Sequence, residues 1–165
     1  MPVSYRQLQS FDAPKYREIR LQSLRENPDV FEADYYFESQ QPQLTFEKRL
    51  IEKDTDSFIV GAWLHDQLIG ICTFVNKNNE AIHGAGTLIQ MFVKSAFRRQ
   101  GIGLALVNYF VQQVIDDGRN QQIILAVSPD NYLAKQLYHK AGFRLLRQQA
   151  VPRLDIFYRK IDDKQ

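Results

Sequence analysis

Hydrophobic and polar positions alternate in short runs in several parts of the chain and fall into helical spacing in others, and each change of period marks an element. Residues 3–8 alternate as a short strand, and Asp12 ahead of Ala13-Pro14 predicts an N-cap with proline in the first turn of a helix running to about Arg25. From Glu26 to Phe46 the period is broken by Pro28, Pro42 and three glutamines, although Thr45 predicts the cap of a helix through Ile51. Residues 58–64 and 68–75 are β-rich runs joined by His65-Asp66-Gln67, which predicts a hairpin, and residues 88–93 add a third strand.

Past Val93 the helical period takes over. Leu106, Val107, Phe110 and Val114 share one face, Asn108, Gln112, Gln113 and Asp116 the other, and Gly118 stands at the expected stop. Residues 122–127 read as a strand covered on both faces, as a parallel central strand is, so strand, helix and strand make a βαβ unit. Ala134, Leu137, Tyr138 and Ala141 then share a helical face ending at Gly142, and residues 143–146 and 154–158 supply two closing strands.

Composition narrows the function. A length of 165 residues fits one domain spanning 1–165, with 44% hydrophobic residues to fill its core. A net charge of +2, from 21 basic and 19 acidic residues, makes no general case for a nucleic-acid or membrane partner. Cys72 is the single cysteine, which excludes an intrachain disulfide and a multi-cysteine zinc site and suits a reducing compartment. Residues 1–8 lack the apolar run of a leader, and the longest apolar stretch, 58–64, is far short of the roughly 20 residues of a membrane span. The expectation is a soluble, cytoplasmic protein. Cys72 has no neighbouring His to activate it, so it reads as a buried strand residue and Cys72→Ala as a tolerated change.

The chemistry concentrates in the loop Lys94-Ser95-Ala96-Phe97-Arg98-Arg99-Gln100-Gly101-Ile102-Gly103, which leads from a strand straight into the amphipathic helix. Glycines at 101 and 103 permit close approach, first-turn amides lack intrahelical partners, and the helix dipole favours an anion. Lys94, Arg98 and Arg99 add positive charge. A nucleotide-hydrolysing P-loop is excluded because Leu104-Ala105 follows Gly103 where Lys-Ser/Thr is needed; a dinucleotide fingerprint is excluded because Leu106 stands where a small residue is needed.

Arg98-x-x-Gly101-x-Gly103 after a strand, followed by Val127-x-x-x-Asn131-x-x-Ala134-x-x-Leu137-Tyr138-x-x-x-Gly142-Phe143, resembles the two signature segments of the GNAT (Gcn5-related) N-acetyltransferases. The resemblance implies an α/β (α+β) fold: a mixed, mostly antiparallel sheet of about six or seven strands with a splayed parallel pair, flanked by about four helices. It implies acetyl-coenzyme A as co-substrate, no metal, and direct attack by a primary amine in a ternary complex. Cofactor contacts would come from Met91, Val93, Arg98, Arg99, Gln100, Gly101, Ile102, Gly103, Leu104, Asn131 and Tyr138. The backbone amide of Phe92 or Val93 would polarise the thioester carbonyl, Asn131 would bond the pantetheine arm while capping its helix, and Tyr138 would protonate the departing thiolate. Some members place a glutamate base on the strand that splays, whereas this chain has Thr87, Gln90 and Met91 there, leaving a water relay, His83 or an acid of the irregular segment. Many members form homodimers, but the sequence marks no interface.

Residues 26–47 hold Glu26, Asp29, Glu32, Asp34, Glu38 and Glu47 and no Lys or Arg, a local charge of −6. Phe31, Tyr35, Tyr36 and Phe37 are interleaved with them. With Phe31, Glu32, Tyr35 and Tyr36 as substrate-binding candidates, such a wall predicts a cationic small-molecule amine as acceptor. A peptide or protein amine, or a non-catalytic acetyl-coenzyme A-binding module, are the alternatives.

Overall fold

The structure is a computed structural model that describes residues 2–30, 33–76 and 84–161. Its strands are β1 (Ser4–Gln7), β2 (Ser57–Leu64), β3 (Gln67–Val75), β4 (Ala85–Val93), β5 (Gln122–Val127), β6 (Arg144–Gln149) and β7 (Leu154–Lys160). They form one seven-stranded sheet in the order β1-β2-β3-β4-β5-β7-β6, antiparallel throughout except for the parallel pair β4 and β5. Five helices are seen among the described residues: α1 (Ala13–Glu26), α2 (Tyr35–Ser39), α3 (Thr45–Ile51), α4 (Ile102–Asp117) and α5 (Tyr132–Lys140).

The central strands are buried on both faces, and their side chains separate two cores. Val60, Cys72 and Phe74 pack under α4 with Leu106, Val107, Phe110 and Val114. Ile59, Ile71 and Phe92 face the other way, against Tyr16 and Ile19 of α1 and Leu44 beside α3. Each fully buried side chain of this size contributes about 1.5–3 kcal/mol, so the apolar stripe of α4 anchors the helix whose first turn leads the candidate site.

Four local details differ from expectation. Asp12 takes the expected N-cap place of α1 with Pro14 in the first turn, but its side chain makes no capping bond: the carboxylate turns back to accept from Arg6 Nη1 and Nη2 at 2.8 and 3.1 Å and from the Gln9 amide at 2.8 Å. Thr45 is the first helical residue rather than the cap, because the Leu44 amide donates to Glu47 Oε1 at 2.8 Å and Leu44 takes the N-cap place. A fifth helix joins the about four expected: Asp34, accepting from the Tyr36 amide at 2.9 Å, nucleates the short α2 inside the irregular segment. The hairpin turn is also tighter than expected: Gln67 already pairs with Leu64, leaving His65-Asp66 as the connection.

Candidate active site

The site begins where β4 and β5 part. They pair at Ala85↔Gln122, Gly86↔Ile123 and Thr87↔Ile124; beyond that point β5 stays beside β7 to Val127 and β4 stays beside β3 to Val93. Gln90, at φ +56°, lies in a bulge where the β3–β4 register shifts. An extra residue bends and twists the strand that carries it, which swings the end of β4 away from β5. The Lys94 amide donates to the Ile69 carbonyl at 2.9 Å. By the alternation of an antiparallel ladder, Phe92 then exchanges hydrogen bonds with Ile71, while the Val93 main chain faces the gap.

Arg98 closes the loop back onto that strand end. Its Nε donates to the Val93 carbonyl at 2.9 Å, and its guanidinium lies 5.5 Å from the Phe92 ring centroid. Arg99 at φ +62° and Gly101 at φ +80° alternate left-handed turns with ordinary ones, the geometry that gathers successive amides into an anion-binding concavity. The amides of Ile102, Gly103 and Leu104 follow at once, ahead of the first intrahelical bond, Ala105 N–H to Gly101 C=O at 3.1 Å. A Cβ on Gly101 would meet nothing within 4 Å, and one on Gly103 would stand 3.6 Å from Met91 Cε and 3.7 Å from the Leu137 methyls. Neither glycine is demanded by neighbouring packing, so the open cradle fits a phosphate-bearing ligand. The contacts around Gly103 also bring β4, α4 and α5 to one mouth.

Two further sequence candidates stand at the start of α5 and on its buried face. Asn131 caps the helix, its Oδ1 accepting from the Ala134 amide at 3.2 Å. Tyr138 is buried in the core cluster that contains Cys72, Val93 and Leu106, edge-on to Phe143 at 5.8 Å, and its hydroxyl bonds to no described residue. Burial first, and the neighbouring Cys72 thiol second, push its phenol well above the usual range, so it keeps its proton. Cys72 itself is fully buried and burial pushes its thiol up, the opposite of a nucleophile's environment. Cys72→Ala is therefore expected to leave turnover within about twofold while costing about 1 kcal/mol in a thermal melt.

On the opposite side of the sheet a pocket of about 160 Å³ opens beside the bulge, lined among others by Tyr16, Arg20, Leu24, Glu38, Phe46 and Gln90. The Gln90 amide oxygen accepts from the Tyr16 hydroxyl at 2.8 Å and from Thr73 Oγ1 at 3.1 Å, which fixes the side chain at the edge of the gap. Arg17, outside the pocket lining, ties α1 to the segment ahead of α3, donating to the carbonyls of Ser39 and Gln41 at 3.3 and 2.8 Å and to Glu47 at 2.9 Å. Of the substrate candidates, Tyr35 is half-buried and stacks edge-on with the exposed Tyr36 at 5.6 Å, and neither lines the pocket. Phe31, Glu32 and His83 lie outside the described residues. Tyr16, Arg20 and Gln90 are pocket residues that sequence reading missed; the available signal was Tyr16-x-x-x-Arg20-x-x-x-Leu24, which puts an arginine on the apolar face of α1.

Among the described residues no group of His, Cys, Asp and Glu could hold a metal ion, and no helix is long and apolar enough to cross a membrane. The family profile described as "Acetyltransferase (GNAT) family" matches residues 18–143. No curated protein matches the chain. Among solved structures, an acetyltransferase of the GNAT family from Streptococcus pneumoniae superimposes with a TM-score of 0.80 at 18% identity, covering 98% of this chain and 100% of that one. YncA, a putative acetyltransferase from Salmonella typhimurium with its cofactor acetyl-CoA, gives 0.79 at 13% identity, covering 100% and 97%. The PaiA N-acetyltransferase from Thermoplasma acidophilum in complex with coenzyme A gives 0.73 at 18%, covering 98% and 100%. At these identities the likeness establishes the fold alone.

Proposed function

The chain belongs to the GNAT acetyltransferase family, enzymes whose co-substrate is acetyl-coenzyme A, and from that premise we propose that it acetylates a small primary amine by direct attack in a ternary complex. The observation that carries the reading is the meeting of two features at Gly103: the gap between β4 and β5, and the amide cradle at the start of α4.

When bound, acetyl-coenzyme A supplies a thioester: the amine nitrogen bonds the carbonyl carbon, the carbon–sulfur bond breaks with its electron pair on sulfur, one N–H proton is lost and sulfur gains one. The residues of the chain hold and polarise. Amides from Arg99 to Leu104, Gln100 and Ile102 among them, bind the pyrophosphate, assisted by the charge of Lys94, Arg98 and Arg99, while the Arg98 amide itself donates to the Ser95 carbonyl at 3.3 Å. Met91 pairs through its main chain with the pantetheine arm, as an added strand does, Val93 meets the acetyl end through its amide because its carbonyl accepts from Arg98, and Asn131 borders the arm. Of the two candidate oxyanion donors, Val93 is preferred, because its amide faces the gap while Phe92 belongs to the β3 ladder. Tyr138 directs its hydroxyl proton to the sulfur.

Gln90 cannot accept a proton where a carboxylate base would stand, and burial raises Tyr16 well above its usual range. The amine therefore loses its proton through water toward Glu38, the acid of the irregular segment that lines the pocket. A single fully buried thiol suits a reducing compartment, and we place the enzyme in the cytoplasm. Incubation with acetyl-coenzyme A and a panel of amines is expected to release free thiol in step with an acetylated amine detected by mass spectrometry. Binding of coenzyme A with every amine left unmodified would overturn the transferase reading.

A further inference from the structure

Gln90 lines the pocket where β4, past its last pair Thr87↔Ile124, has left β5, and it directly precedes Met91. Its backbone is strained, because a φ of +56° is a conformation that side chains other than those of asparagine and aspartate rarely adopt. The amide this strained residue presents is held from two sides. From α1 the Tyr16 hydroxyl donates to Oε1 at 2.8 Å, and from β3 Thr73 Oγ1 donates to the same oxygen at 3.1 Å.

Those two bonds decide which way round the amide lies. Tyr16 and Thr73 are buried, and burial raises the phenol, so it keeps its proton. Each hydroxyl proton needs an acceptor, and a reversed amide would strand both of them in the core. With Oε1 held by α1 and β3, the planar amide turns Nε2 away from both, and Nε2 donates to no described residue. Gln90 therefore brings two N–H donors to the rim of the pocket.

A donor in that place sorts amines. Bonded to the attacking nitrogen, it would occupy the lone pair that must reach the thioester carbon, so a productive acceptor needs a second lone-pair atom close to its amine. An amine without one closes the pocket over an unpaired N–H, and a site built to bond an oxygen rejects analogues that lack it. We infer that Gln90 is a specificity-determining residue whose Nε2 donates to the oxygen of a carbonyl attached to the amine-bearing carbon, so that the acceptor is an α-amino carbonyl compound. The rest of that acceptor lies against the apolar lining of Leu24, Leu44 and Phe46. The inference rests on the transferase reading above and narrows its primary amine to this class.

The test compares leucinamide, the peptide Leu-Gly-Gly and isoamylamine, which is the leucine amine without its carbonyl group, as acceptors for the full chain, with rates of thiol release taken per neutral amine. The better of leucinamide and Leu-Gly-Gly identifies a free or a peptide source for the carbonyl. That one is expected to exceed isoamylamine in kcat/KM by at least about tenfold, the size of one hydrogen bond lost with its donor left buried. Gln90→Glu keeps an oxygen for Tyr16 and Thr73 and exchanges the donor for an acceptor, so the preference should fall to about twofold or less. Any gain from the new carboxylate as a base is shared by both amines and leaves their ratio. If Gln90→Glu folds poorly, Gln90→Met in a Tyr16→Phe background, which removes the phenol along with its partner, should show the same loss. A wild-type preference below that size, or a folded variant that keeps it, would overturn the inference. If no amine is acetylated at all, the transferase reading fails on its own, and titration of N-acetylleucinamide and N-isoamylacetamide into the coenzyme A-saturated protein decides the inference. Tighter binding of the first, lost in Gln90→Glu, supports it, and equal or absent binding of both overturns it.

Discussion

Tyr138→Phe is expected to lower kcat by roughly 10²–10³-fold while the KM for acetyl-coenzyme A changes by less than about threefold. The substitution is unusually clean. The ring is buried edge-on to Phe143, and its hydroxyl bonds to no described residue, so phenylalanine keeps the packing and removes one oxygen. A thermal melt should shift little, which assigns the loss to chemistry.

The environment also alters what the phenol can do. An ordinary tyrosine near pKa 10 is almost matched to a thiol near 8.5. Burial raises Tyr138 well above that, so complete transfer of its proton to sulfur is uphill, while hydrogen-bond donation in a dry site is strengthened. Since a raised phenol stays neutral as pH climbs, kcat should show no alkaline decline near pH 10 from this group. A decline there that disappears in Tyr138→Phe would mean that the phenol titrates at its ordinary value. Unaltered turnover in the Phe variant would remove Tyr138 from the mechanism.

Gly101→Ala is expected to weaken coenzyme A binding by roughly 100-fold in calorimetric titration, the scale of one or two charge-assisted hydrogen bonds. Nothing lies within 4 Å of the added methyl, so the protein alone has room for it. The backbone at φ +80° costs about 1 kcal/mol when alanine occupies it. A modest loss of stability should therefore accompany a large loss of affinity, because the methyl intrudes on the cradle and relaxation of the turn re-aims its amides. Unchanged affinity in a folded variant would show that the pyrophosphate is held elsewhere.

The features legible in the sequence are those written in local spacing. The stripe of Leu106, Val107, Phe110 and Val114 specified α4, and the covered run of β5 specified the parallel pair, because each pattern needs only its own residues to be read. The amide cradle followed from two glycines at a helix start. What escaped depends on pairing across the chain. The bulge at Gln90 exists because Cys72 on β3 faces both Gln90 and Met91, and no spacing within β4 reveals it. The five residues of α2 are too few for a period, and Asp34 declares them only through its cap. The acidic segment was legible as charge but not as geometry, since α1 supplies Arg17, Arg20 and Arg25 from outside it.

The parted strands carry one more consequence. A sheet that opens in its middle has two internal edges, and an edge with unused main-chain groups invites another chain to pair with it and seed aggregation. The bond from Arg98 to the Val93 carbonyl removes the last acceptor on the β4 edge, and the bulge at Gln90 twists that edge out of the plane a foreign strand would need. The same two residues that shape the gap for a narrow ligand thus protect it against the wider, flatter occupant that sheets otherwise recruit.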